Sequence, residues 1–225
     1  MSTLNYDGAR ERSSVSTLRV IDGSYRHEVP EGTEGAVKRE WIAGGNTGVK
    51  YEILIGEVKG VIDNIEIYEG QSKDDDRKFR LLNIILMNDK GQKVRLSHGL
   101  ESNYASDIIE CLPNIDLKEE VAFQPSNRNG KARMWIKQGV GEDGKPKNVP
   151  SFFSEWDDKK KEYKNLNGMP DKPKDLKPGG DRDRWNIYFA ERRVFLKKYF
   201  NENIAPQFTS KVVAKDATDE AVEQF

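Results

Sequence analysis

Arg133-Met134-Trp135-Ile136-Lys137 is the stretch whose residue types and spacing most readily suggest chemistry. In an extended strand, alternation puts Met134 and Ile136 on one face and Arg133, Trp135 and Lys137 on the other. If the first pair is core, the second set is a cationic stripe with an indole at its centre. Cations track phosphates while a flat ring stacks a base, worth ~1–3 kcal/mol per base. The competing structural role for Trp135 is to cover the end of a barrel or to pack under the C-terminal helix. The same parity sends Lys93 and Arg95 outward on an earlier strand and gives Lys78 and Arg80 a shared face of another. Arg128 and Lys131 fall in a polar loop over 125–131, and Tyr68 and Phe79 flank a second polar loop, as stacking rings or as core.

Other chemistries find less support. Asp74, Asp75 and Asp76 are adjacent, without the spaced ligands, central glycine and distal glutamate of an EF-hand, and they would repel phosphate. A two-metal nuclease could still gather carboxylates from several elements. The sequence holds no Gly-rich phosphate loop, nucleophile elbow or HExxH. Cys111 is the single cysteine, read as a small core residue, and the two histidines, His27 and His98, cannot join it in a zinc cluster. The expectation is a non-enzymatic protein with no catalytic residue, metal or cofactor.

The elements that must position these residues are mainly strands. Residues 15–29 and 37–43 read as short strands, with a turn at Gly44-Gly45-Asn46-Thr47-Gly48. Residues 51–68 form a long β-rich run whose apolar phase changes between Gly56 and Gly60, so that one bent strand could serve two sides of a barrel. Strands follow over 78–88 and 93–98, then a helix over 103–112 ended by Pro113, then strands over 119–124 and 132–138. That order matches an OB-like fold: a five-stranded Greek-key barrel with a short helix between strands three and four. Its ligand surface is the face of strands two and three with the loops joining strands one–two and four–five. Residues 151–164 fit helix or strand, and 183–201 carry a long amphipathic helix N-capped by Asp181 or Asp183. The helix's aromatic stripe is expected to pack as core on the barrel, or to form an interface.

The expected organisation is a disordered 1–14 and one OB-like domain over 15–205, its barrel core at 51–138 and its decorations at 15–50 and 139–205. An acidic flexible tail over 206–225 completes it. Lysine plus arginine total 37 against 38 aspartate plus glutamate, so net charge argues neither for nor against a polyanion ligand. The polar start, the lone cysteine and the absence of a long apolar run point to a cytoplasmic protein with no membrane partner.

With its OB-like order, the basic-aromatic strand Arg133–Lys137 and an acidic tail ending in Phe225, the chain resembles single-stranded DNA-binding proteins of bacteriophage type. The resemblance implies sequence-tolerant cover of single-stranded DNA in replication or recombination, in a host cytoplasm, with oligomers possible. It also implies recruitment of replication or recombination proteins through the tail residues Asp219, Glu220, Glu223 and Phe225. This tail departs from the family pattern, its acids being spaced and its tip lacking Asp-Ile-Pro-Phe. The competing functions are a structural or protein-interaction module, such as a viral assembly component, and a metal-dependent nuclease.

Overall fold

A computed structural model describes residues 15–43, 46–71, 78–174, 176 and 180–208. Strands β1 (Ser16–Ile21) and β2 (Ser24–Val29) form a hairpin around Asp22-Gly23. Both turn residues have positive φ, 50° and 80°, the geometry of a type I′ turn whose twist suits the flanking strands. β3 (Val37–Ala43) and β4 (Asn46–Ile55) pair antiparallel, and β4 also pairs with β2.

The bent strand expected over 51–68 is two strands. β4 stops at Ile55, and β5 (Val58–Gln71) begins after Gly56 and Glu57. It is β5 that serves two neighbours. Its first residues, 58–60, pair with β8 (Val121–Arg128), and from Val61 onward it pairs with β6 (Lys78–Met87). The change of apolar phase falls at a bulge between Ile62 and Asn64, not at a glycine. Gly60 sits at the handover, where a Cβ would stand 2.8 Å from the Met87 carbonyl oxygen; only glycine allows that approach.

After β6 come β7 (Lys93–Gly99), helix α1 (Asn103–Cys111) and a 3-10 turn (Leu112–Asn114). β8 and β9 (Lys131–Val140) form a hairpin closed by Asn129-Gly130, again both at positive φ, so the loop expected over 125–131 is a two-residue turn between longer strands. Pro125 is tolerated inside β8 because the ladder to β5 has already ended at Phe123. A short β10 (Pro146–Asn148) pairs with β9.

The result is one ten-stranded sheet in the order β10-β9-β8-β5-β6-β7-β1-β2-β4-β3. The expected five-stranded barrel does not close. The edge of β7 is taken by β1, which runs parallel to it with Thr17 opposite Arg95, and the sheet stays open. It nevertheless curls. The Tyr25 hydroxyl of β2 lies 3.9 Å from the Met134 sulfur of β9, inside a core that includes Leu18, Ile55, Ile84, Leu96, Phe123 and Ile136.

Contacts divide the chain into two compact units, residues 1–108 with 115–149, and residues 109–114 with 150–225. The sheet belongs to the first. In the second, the stretch 151–164 contributes a hairpin, β11 (Ser154–Asp157) and β12 (Glu162–Asn165). The expected long helix is α2 (Arg182–Tyr199), N-capped by the Asp181 carboxylate and continued by a π-helical turn (Phe200–Ile204). Its stripe buries Tyr188, Leu196, Phe200 and Ile204, while Phe153 meets Phe195 and Tyr199 edge-on at 5.4 and 4.8 Å. Arg192 is anchored to Glu110 at 2.7 Å and to the Tyr188 hydroxyl at 3.2 Å. No described helix is long and apolar enough to cross a membrane.

Candidate nucleic-acid interface

Strand parity organises the β8–β9 hairpin. Met134 and Ile136 are buried, and Lys131, Arg133, Trp135 and Lys137 stand on the opposite face at two-residue spacing. Across the ladder, Arg128 is opposite Lys131, Ser126 opposite Arg133 and Gln124 opposite Trp135, so these share that face. Trp135 is 49% exposed, and its indole N–H donates to Ser126 Oγ at 3.1 Å. The ring is therefore oriented by a bond at its edge and does not cap the core.

The cations around it are not equally free. Arg133 donates to Asp107 Oδ1 at 2.9 Å, and the other Asp107 oxygen accepts from the Met134 N–H at 2.8 Å. Lys137 and Lys59 share Glu57, at 3.3 and 3.4 Å. Lys93 pairs with Asp63 at 2.6 Å, and Arg80 pairs with Glu101. Arg128, Lys131, Lys78 and Arg95 have no ion-pair partner among the described residues. None of the paired carboxylates was identifiable as a partner from sequence, because pairs such as Glu57 with Lys137 join positions far apart in the chain.

On β6 the register departs from the ligand face expected for Lys78 and Arg80. Ile85 lies opposite Arg95 and Met87 opposite Lys93, so the outward face of β7 continues onto the odd-numbered residues of β6. Lys78 and Arg80 stand on the other face of β6, that of Leu82 and Ile84, and do not extend the Lys93–Arg95 surface. Phe79 and Tyr68 do share it. They are 37% and 49% exposed, with ring centroids 6.1 Å apart. Phe79 lies over Gly70, whose added Cβ would come 2.6 Å from the ring; the glycine is what lets the aromatic lie on the strand. Beside the pair, Glu69, Gly70, Gln71, Lys78, Phe79 and Arg80 line an open groove of about 660 Å³.

Asp74–Asp76 and the tail residues Asp219, Glu220, Glu223 and Phe225 lie outside the described residues. Among the described residues no three His, Cys, Asp or Glu side chains gather as metal ligands. His98 is buried beneath the surface, its Nε2 3.4 Å from the Tyr25 hydroxyl, and burial pushes its pKa down to about 3. It is thus a neutral core group at physiological pH. Sequence reasoning missed Arg19 of β1, although its alternation with Leu18 was there to be read. It also missed the polar chain on the β5–β6–β7 face in which Ser97 Oγ donates to Asn83 at 2.9 Å and Asn83 donates to Glu66 at 3.3 Å. No family model, curated protein or solved structure matches this chain.

Proposed function

We propose that this chain binds single-stranded nucleic acid, DNA in the first instance, without sequence preference and without catalysis, in replication or recombination. The observation that carries the reading is the outward row Lys131, Arg133, Trp135 and Lys137, with Arg128 across a two-residue turn and the indole half exposed. Cations spaced along a strand with an oriented aromatic between them are what a flexible phosphate backbone with splayed bases requires. The Tyr68–Phe79 pair supplies a second stacking platform on the same sheet. An OB-like arrangement is supported by β5, which pairs with β8 through its start and with β6 through the rest, as the bent first strand of such a barrel does. On this reading β1 and β2 are additions laid on the edge of β7. The bacteriophage-type resemblance and a tail that recruits replication partners belong to the same proposal.

Titration with oligo-dT tests it. Tryptophan emission is expected to quench on binding, with most of the quench lost in Trp135→Phe. Absence of both quenching and a mobility shift at low salt would contradict it. A protein-docking role is favoured by Ile187 and Val194, which lie two turns apart on one face of α2 and are exposed. That role predicts concentration-dependent association and no affinity for dT.

A further inference from the structure

We infer that Arg19 and Arg95 together form a phosphate-binding site, so that β1, outside the five OB-like strands, is part of the interface. The inference rests on the single-strand reading above and extends it to a strand and a residue that reading does not use.

The parallel register of β1 on β7 sets Thr17 opposite Arg95 and Arg19 opposite Ser97. Alternation then puts Thr17, Arg19, Arg95 and Ser97 on one face, with the two guanidinium groups on diagonal neighbours. Leu18, between Thr17 and Arg19, is fully buried, which fixes that orientation. The basic side chains next to them in the sheet register have carboxylates: Lys93, two residues before Arg95, has Asp63, and Arg26, opposite Arg19 on β2, has Glu52 at 3.0 Å. Arg19 and Arg95 have none among the described residues, and neither makes a hydrogen bond there. Glu66, across the sheet on the same face, receives a hydrogen bond from Asn83.

Arg95 carries a second mark. Its stem lies beside Ile85, and its Nε is buried with no acceptor among the described residues. A buried donor without an acceptor is costly, and two uncompensated like charges side by side repel. One tetrahedral anion relieves the repulsion, since its oxygens accept from the exposed ends of two guanidinium forks at once, and a turn of the Arg95 side chain toward it would give the buried Nε an acceptor as well. The Thr17 hydroxyl, exposed beside them, can donate to a third oxygen. The ligand chemistry is a phosphate, and on this sheet the source is a phosphodiester of the bound strand.

The test uses the full chain and oligo-dT, comparing wild type with Arg19→Ala, Arg19→Lys and Arg95→Lys, and with Lys118→Ala as an exposed control. Arg19→Ala is expected to weaken binding roughly three- to tenfold at low salt and to flatten the slope of log K against log salt by about 0.7. Arg19→Lys should restore the slope without the full affinity, because a point charge replaces a fork. Arg95→Lys keeps the charge and the stem for the core, and it should weaken binding while circular dichroism remains unchanged. If Trp135→Ala weakens binding and Arg19→Ala changes neither affinity nor slope, the site is wrong and the single-strand reading stands. If the wild-type chain fails to bind dT, that reading falls and this assignment falls with it. If inorganic phosphate shifts the Arg95 Nε–Hε resonance while Arg19→Ala leaves dT binding intact, the pair holds a free anion and the assignment to the strand is overturned.

Discussion

At the scale of single residues, Trp135 combines exposure with a fixed orientation, because Ser126 holds the indole nitrogen while half of the residue faces solvent. Trp135→Ala should therefore cost about 1–3 kcal/mol of dT affinity, one stacked base, while shifting the melting temperature little. Isothermal titration alongside a thermal melt checks both halves. His98 predicts a pH effect of definite sign. Burial lowers its pKa to about 3, whereas the unfolded chain binds that proton near the ordinary value of ~6.5. Between those values the unfolded state holds more protons, so stability is full above ~6.5 and falls as pH drops toward 3, by up to ~1.4 kcal/mol per pH unit. Urea midpoints at pH 7 and 4.5 should separate clearly in wild type and less in His98→Leu. Glu52 adds to the acid limb. A hydrogen bond from Arg39 chiefly, and one from Arg26, hold its carboxyl below the usual range against the opposing effect of burial. That contribution is lost as pH falls through the lowered value. Because Glu52 is only 3% exposed, Glu52→Ala would take the paired carboxylate from Arg39 and leave Arg26 with Asp22 alone, at 3.8 Å, and cost roughly 3 kcal/mol in a denaturant melt.

At the scale of elements, the turn of the β1–β2 hairpin packs against β8 at a distance that only glycine allows. Gly23 has φ of +80°, and a Cβ there would stand 2.4 Å from the Asn127 nitrogen, where the β1–β2 turn meets β8. Gly23→Ala should destabilise by about 2–3 kcal/mol, while Gly99→Ala, with open space around its Cβ position, should be near neutral in the same melts. Elements whose chemistry is local were legible in the sequence. The alternation of β9, the helix stopped before Pro113 and the Asp181 cap each need only neighbouring residues. The break at Gly56 was read as a bend within one strand, and the bulge after Ile62 was missed, because a bulge and a chain break both disturb a period of two. Only the pairing partners, β8 before Val61 and β6 after it, tell them apart. The Asp22-Gly23 and Asn129-Gly130 turns were readable as positive-φ pairs, and both were passed over in favour of longer segments.

At the scale of the whole molecule, the formal net charge is −1, so any attraction for a polyanion must come from local faces. The candidate cations divide into paired ones, such as Lys93 with Asp63, and those with no acid among the described residues, such as Arg95 and Lys131. If about five phosphates are contacted, log K for dT should fall with log salt at a slope of roughly −3 to −4, and duplex should bind more weakly. This division was invisible in sequence because each ion pair depends on the sheet order, and the place of β1 on β7 was equally so. The most direct test of the account is ultraviolet cross-linking of the full chain to oligo-dT, with the joined peptide identified by mass spectrometry. Attachment is expected at Trp135, with Tyr68 or Phe79 as secondary sites. Attachment confined to Trp156 and Tyr163 of the β11–β12 hairpin, or none at all under conditions where dT binds, would contradict it.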